Sequence, residues 1–579
     1  MTIERIRKAP ERRRFFTWDL EWWPGTYQLR LCGVYDGERY RYYESIKDFV
    51  ENECNSFNNN VWFYAHAGGL ADSAFLFEYL ITQKDVKVDA RFSGSAAIVI
   101  EVKKGSNTWF FIDSYWLLRA PLKKIGAALG MEKGTKEDML SEDRETLIRY
   151  NRQDCVILWE AISGFEDVLF SLGGQLQMTV ASCAMFLFRK SYLSRTIRTS
   201  TFINEISSQA YFASRVEVFK PKVQDANYYD INSSFPYAMT EPGPGNVLRS
   251  RKTIPWGERS IYMAEVTINT PDSINLPSLP FRDRGRTYFP IGRWTGWFTN
   301  VDLTLAQESG AWIEKVHRVI EFDPCYDLEE YASNIYSLRK RAESEYEKMV
   351  LKILLNSLYG KFAECETKEK LSLFPDKTTC QHEPRCEDNS CIRLLIPGAF
   401  LVTDEVDVRH RHVPLSAHIT AIARRTLYNH LKDHNPYYCD TDSIITTDTL
   451  PTGPNLGQLK HEYKIKQAEF LAPKIYHLLG EQINDDGTTQ EKEVIRAKGF
   501  PSMNFQEFTA LANGGTVQVT RMVRAREMFS KNKVYPHEKT YEKRIRQGKE
   551  AERTKRCVDY ERNTSRPWHV DEIRPPTLH

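Results

Sequence analysis

Tyr437-Tyr438-Cys439-Asp440-Thr441-Asp442-Ser443-Ile444-Ile445 is the stretch on which the reading of the chain turns. Tyr437, Tyr438, Ile444 and Ile445 suit two β-strands, and Asp-Thr-Asp is short and polar enough to be the turn between them. Side chains two apart in extended chain point to one side, so Asp440 and Asp442 are expected to face one site. Hard divalent cations such as Mg²⁺ take carboxylate oxygens of this kind, usually together with substrate phosphates. A lone D-x-D is more often the solvated tip of a hairpin. Other stretches of the chain change that balance.

The chain has 579 residues, too many for one core, and its length implies roughly three to five units. With 41% hydrophobic, 12% aromatic and 27% charged residues, neither a disordered nor a membrane class fits. The basic N-terminus, with Arg5, Arg7, Lys8, Arg12, Arg13 and Arg14, lacks the apolar run of a signal peptide, so export is not expected. The longest uncharged run, Val168 to Phe188, is interrupted by Gly173, Gly174, Gln175 and Gln177, and reads as two buried helices with a turn rather than a membrane span. Net charge is only +2, but Arg521 to Arg566 holds 15 Lys/Arg against 7 Asp/Glu, an excess of +8 that leaves −6 for the remainder. An acidic body with a basic arm suits a protein that holds metals at its centre and grips phosphates at its edge, although a single charge-rich stretch is commonly just solvated. Eleven cysteines without secretory context argue for reduced thiols.

In chain order, Phe15-Phe16-Thr17-Trp18-Asp19-Leu20-Glu21 reads as an apolar strand with Asp19 and Glu21 on one face. Val61-Trp62-Phe63-Tyr64-Ala65-His66-Ala67-Gly68-Gly69 reads as a strand entering a glycine turn, and Asp72 opens a helix. Tyr150 and Asp154 are four apart in a helical stretch and share a face. Four carboxylates from three elements can converge on a metal pair that activates water against a phosphodiester, with Tyr150 positioning that water. Further on, Tyr228-Tyr229-Asp230-Ile231-Asn232-Ser233-Ser234-Phe235 reads as a strand ending in a turn that brings Asp230 to Asp440 and Asp442. Three such carboxylates suit two-metal phosphoryl transfer, where alignment and charge neutralisation carry the catalysis. Leu338 to Phe362 reads as one long helix with Arg341, Lys348, Lys352, Asn356 and Tyr359 on one face, a cationic stripe beside an aromatic that can hold a triphosphate.

These strings resemble those of the family B DNA polymerases. Asp19, Glu21, Asp72, Tyr150 and Asp154 match the three motifs of the DnaQ-like 3′-5′ exonuclease domain, and the stretches around Asp230, Lys352-x-x-x-Asn356-Ser357-Leu358-Tyr359-Gly360 and Asp440-Thr441-Asp442 match polymerase motifs A, B and C. The resemblance covers nearly the whole chain, and its short length and the motif B string point to the protein-primed subgroup of small phages, adenoviruses and linear plasmids. It implies an α+β multidomain fold, an RNase H-like (DnaQ-type) exonuclease domain followed by a right-hand polymerase of palm, fingers and thumb with two palm insertions. It implies two Mg²⁺ or Mn²⁺ per active site, with Asp230 and Asp442 as polymerase metal ligands and Asp440 in support. Lys352, Asn356 and Tyr359 would bind the incoming dNTP, and Phe235 would stand at the steric gate against ribonucleotides. Lys474 and Tyr476 match the Lys-x-Tyr motif that holds the primer terminus. Ser114 sits where the subgroup contacts single-stranded DNA, and Tyr211 opens the Tyr-x-Gly-Gly position that contacts template. Departures are Ala67, where the second exonuclease motif commonly has Asn, and Ala71, where it has an aromatic, so weaker or differently positioned proofreading is expected; Ala213-Ser214 stand in place of the glycines.

The expected plan is an exonuclease domain over 1–167, linker and first palm segment over 168–242, palm with a priming-protein-docking insertion over 243–328, fingers over 329–363, a strand-displacement insertion over 364–412, second palm segment over 413–504, and thumb with basic arm over 505–579. The second insertion holds Cys380-x-His382-x-x-x-Cys386-x-x-x-x-Cys391, four possible zinc ligands whose spacing matches no standard ribbon, so free thiols are the commoner outcome. Expected partners are primer-template DNA, dNTPs and a terminal (priming) protein, with no membrane, for a monomer in the cytoplasm of a host cell. Two alternatives stay open, a conventionally primed polymerase of the same fold and a catalytically inactive DNA-binding scaffold. A reverse transcriptase has a different adjacent-Asp motif and gives no role to Asp19 and Glu21.

Overall fold

The computed structural model describes residues 1–255, 260–373, 391–406, 408–484, 486–500, 502–545 and 554–574. Its first half is organised by a ten-stranded sheet. Phe15–Trp22 and Asn107–Asp113 flank the short strand Trp62–Ala65 in parallel, and the other strands pair antiparallel. Near-continuous apolar sequence in these central strands fits their burial on both faces. The helix Arg144–Ser171, capped by Asp143, lies across Phe15–Trp22 and Leu29–Tyr35 and so delivers its acidic residues to the strand carrying Asp19 and Glu21.

Three strands of this sheet come from far downstream. Thr367–Leu373 pairs with Lys87–Ser93, matching Leu371 to Ala90, and Ala399–Glu405 and Cys391–Ile396 continue outward from it. Leu371, Leu373, Ile396 and Ala399 thereby join the core of the first domain, so the second insertion shares that core. Cys380, His382 and Cys386 lie outside the described residues, as does the side chain of Cys391. The described cysteines are all free thiols.

A seven-stranded antiparallel sheet forms the palm. In spatial order it runs Val216–Val218, Pro436–Asp440, Ser443–Thr446, Lys222–Ile231, Leu459–Ala472, Ile475–Ile483 and Thr489–Ala497. The first insertion is a four-stranded sheet beside it, tied in by Arg424 of the helix Val413–Leu431, whose buried guanidinium holds Asp302 at 2.8 Å and the Phe212 carbonyl at 2.7 Å.

The expected single helix from Leu338 to Phe362 is instead two, Asp327–Arg341 and Glu345–Ser357, followed by a 3₁₀ turn Tyr359–Ala363. The break falls where Ser344 caps the second helix by accepting from the Glu347 amide, a local signal that outweighs the continuous charge pattern. Tyr331 then ties the pair by donating to the Leu354 carbonyl at 2.9 Å.

After Phe505–Ala512, the hairpin Val517–Met522 and Glu538–Lys543 carries the helix Ala525–Ser530 at its far end, against the first domain. Phe529 meets Phe77 edge-on at 5.4 Å, Arg524 donates to Ser95 at 3.0 Å, and Arg526 pairs with Glu369 of the second insertion at 2.6 Å. The basic segment is tied down along its length. Arg521, Lys531 and Lys539 converge on Glu527, and the chain then returns to the palm, where Arg556 is 1% exposed beside the fully buried Glu217. No helix among the described residues is long and apolar enough to cross a membrane.

Candidate active sites

The structure brings together two sets of carboxylates. In the first domain, ligand oxygens of Asp19, Glu21 and Asp154 lie within 4.8 Å of one another. Burial and Asp154 push the Asp19 carboxyl up to about 7, and burial with Asp19 pushes Glu21 up to about 10. Asp154 is also raised by burial, against the pull of the Lys133 ammonium that pairs with it. Its Oδ1 is buried without a hydrogen-bond partner among the described residues. An acidic, partly unsatisfied oxygen cluster fits a hard divalent cation. Asp72 is buried at the start of its helix, outside that trio, and is raised by burial and then by Asp19 and Asp113. The Tyr150 ring lies 5.2 Å from the Lys133 ammonium, its hydroxyl raised to about 12 by burial and Asp154.

Two residues here escaped the sequence reading. Lys133 lies between the helices Leu122–Ala128 and Lys136–Leu140 with no spacing rule to single it out. His66 follows the strand Trp62–Ala65 directly, and its Nδ1 meets the Ser114 hydroxyl at 3.0 Å. Ser114 itself is fully buried and also donates to the Ala65 carbonyl at 3.0 Å. The Ser114 hydroxyl thus lies between the Ala65 carbonyl and His66, whose ring burial holds at about 4 and hence neutral.

In the palm, Asp440 pairs with Ser443 across the hairpin and Asp230 pairs with Ser443 from the other side. The Ile231 amide donates to the Asp442 carbonyl at 2.7 Å, fixing Asp230 and Asp442 side by side. Thr441 is left-handed, φ 64°, so the two turn carboxylates are presented by a tight turn and not by extended alternation. Burial and Asp442 push Asp230 up to about 7, while burial and Asp440 push Asp442 up to about 6. Lys474 pairs with Asp440, and its amide donates to the Tyr438 hydroxyl at 2.9 Å. Tyr438 stacks on Phe470 at 4.9 Å and meets Tyr476 at 5.5 Å, which places the Lys-x-Tyr pair against the hairpin that carries Asp440 and Asp442.

On the facing helix, Lys352 is held below its ordinary value by burial and by the cations Arg339 and Lys124, with Asp230 pulling the other way. The rings of Phe235 and Tyr359 stack at 4.3 Å. Asn356 donates to the Lys352 carbonyl at 2.8 Å, and Lys348 pairs with Glu345 at 2.6 Å. Arg341 is corrected: it ends the preceding helix, donates to Ser337 at 2.9 Å, and does not share the face of Lys352. Tyr211 caps the helix Thr201–Ala210 and its carbonyl accepts from Arg282. Neither Ala213 nor Ser214 has a positive φ, so the missing glycines cost no backbone strain, and Ser214 donates to the Thr441 carbonyl at 2.8 Å.

A cavity of about 1240 Å³ contains neither carboxylate set. It opens between the first domain, the helix Val180–Leu187 and the second insertion, and Arg91, Arg189, Lys361, Lys368 and Arg526 line it beside Trp62.

Residues 130–394 match the family described as DNA polymerase type B, organellar and viral. The chain resembles the family B DNA polymerases of the protein-primed kind. It is 26% identical over 505 residues to a protein named "Probable DNA polymerase" from Podospora anserina, covering 71% of this chain and 42% of that one. To the DNA-directed DNA polymerase of Enterobacteria phage PRD1 it is 26% identical over 454 residues, 72% of this chain and 73% of the relative. The chain spans less than half the length of the fungal relatives. In structure it matches Phi29 DNA polymerase complexed with primer-template DNA with a TM-score of 0.70 at 19% identity, over 92% of this chain and 100% of that one. The fold is accordingly an exonuclease-type domain followed by a right hand of palm, fingers and thumb. The family match ends before Asp440, so Asp440 and Asp442 rest on geometry.

Proposed function

We propose that the chain is a DNA-dependent DNA polymerase with a 3′-5′ exonuclease, replicating a viral or plasmid genome in the host cytoplasm from a hydroxyl on a priming protein, and acting as a monomer. The observation that carries this reading is the meeting of Asp230, at the end of its palm strand, with Asp442 in the adjoining turn, within electrostatic reach of Lys352. Two Mg²⁺ or Mn²⁺ ions held by these carboxylates would activate the primer 3′-hydroxyl and neutralise the triphosphate. Lys352 then meets the phosphates from the opposite helix. The Phe235 ring, braced by Tyr359, fills the space that a 2′-hydroxyl needs, so deoxynucleotides are preferred. Lys474 and Tyr476 hold the primer terminus against the hairpin. In the first domain Asp19, Glu21 and Asp154, with Asp72 beside them, would hold the second metal pair, and Tyr150 would orient the attacking water. The cavity between the first domain and the second insertion, lined by Arg91 and Arg189 and by Lys361, Lys368 and Arg526 paired with Glu364 and Glu369, would hold a single strand by its phosphates and support separation of the template from the displaced strand.

The test is primer extension on a single-stranded circular template with Mg²⁺ and dNTPs, comparing wild type with Asp442→Ala. Product longer than one circle, absent from Asp442→Ala, is expected. Product ending at one circle removes strand displacement from the reading; no product from folded, DNA-binding wild type removes synthesis on a nucleic-acid primer.

A further inference from the structure

Asn151 is fully buried beneath the exonuclease carboxylates, one residue beyond Tyr150. Its Nδ2 donates to the Asp19 carbonyl and to Asp19 Oδ2, both at 3.2 Å, and lies 3.4 Å from Glu21 Oε1. Its Oδ1 accepts from the Tyr40 hydroxyl at 2.8 Å and from the Cys155 thiol at 3.8 Å. With donors on its carbonyl side, the amide can turn only its NH₂ toward the carboxylates. Room for it exists because the residue paired with Asp19 on the next strand is Gly33. A Cβ at Gly33 would stand 1.7 Å from Asn151 Oδ1, and Gly33 has no positive φ to explain glycine on backbone grounds.

We propose that Asn151 is the positioning residue for the exonuclease metal ligands, oriented by Tyr40 and admitted by Gly33. The proposal rests on the exonuclease reading and adds to it residues that touch neither metal nor DNA. Two like-charged carboxylates on one strand face repel, and a neutral donor between them holds both without a counter-charge that an incoming cation must displace. Lys133, on the far side at Asp154, is the charged counterpart. Side chains of this kind, bonded to metal ligands, commonly set metal affinity by about 10–100-fold.

The experiment uses the full chain with Asp230→Ala and Asp442→Ala, so that Mn²⁺ titration followed by electron paramagnetic resonance of the free ion reports the first domain. Asn151→Leu is expected to weaken Mn²⁺ by about 10–100-fold. With the palm carboxylates restored, single-strand degradation falls by a similar factor at unchanged KM, and primer extension is kept. Gly33→Ala is expected to act in the same direction, and Tyr40→Phe, which removes one hydroxyl and keeps the ring, more weakly. Natively melting Asn151→Leu and Tyr40→Phe that both bind Mn²⁺ within about twofold of the parent overturn the proposal. If Asn151→Leu fails to fold, Tyr40→Phe decides alone by the same criterion. A parent that binds Mn²⁺ but leaves single-stranded DNA intact overturns the exonuclease reading instead, and the titration still judges Asn151.

Discussion

Ala67 adopts a left-handed conformation, φ 59°, at the position where the resembled family commonly has Asn. Left-handed backbone costs most L-residues about 1–2 kcal/mol, and Asn is among the few that visit it routinely. Ala67→Asn should therefore leave the melting temperature unchanged or higher while increasing excision of a mispaired 3′ end, read by melting and by degradation of a mismatched primer. The carboxylates give a second expectation. Asp19 and Asp230 at about 7 and Asp442 at about 6 hold protons in the folded chain that the unfolded chain releases near its ordinary value. In chelator, stability contributed by these protons is complete at low pH and lost between about pH 4 and pH 7. Melting in EDTA should fall across that window, and Mn²⁺ should restore it strongly above the window and weakly below. At this scale the sequence was informative wherever a motif named a charge. Asp19, Glu21, Asp154, Asp230 and Asp442 were found from spacing, whereas Lys133 and Asn151 act through contacts that no spacing encodes.

Helices and strands show where local reading stopped. The strand carrying Asp19 and Glu21 and the hairpin Tyr437 to Ile445 were legible because their alternation and turn lie within a few residues. The helix break at Ser344 was present as a capping serine but was hidden by a continuous run of charged and apolar residues. The joining of Thr367–Leu373 to Lys87–Ser93 could not be read at all, since edge pairing depends on which strand the tertiary fold brings alongside. That joint yields a prediction: Leu371→Asp puts a charge into the first domain's core, where an unpaired buried carboxylate costs several kcal/mol. The insertion should detach, become sensitive to limited proteolysis, and leave an enzyme that fills short gaps yet stops after one circle.

Taken whole, the molecule is tied at its far end as well as its middle. Arg556 and Arg215 enclose Glu217 on the strand beside Pro436–Asp440, and Arg556 also donates to Asn275 of the first insertion at 3.0 Å. Removing one partner of such a buried group costs about 3–5 kcal/mol, toward the lower end here because Arg215 remains. Arg556→Met should lower the melting temperature of the palm and primer extension with it, while single-strand degradation by the first domain persists.

The ten-stranded sheet bears on the order in which this chain can be made. Val88 to Arg91 have their partners at Leu373 to Lys370, nearly three hundred residues later in synthesis. Until the ribosome has passed the fingers, the nascent first domain carries an open strand edge, the kind of surface that pairs with any neighbouring chain. The first domain thus waits for a later part of the chain to close it, and a fragment cut at the end of its long helix would be expected to self-associate through Lys87–Ser93 rather than stand alone.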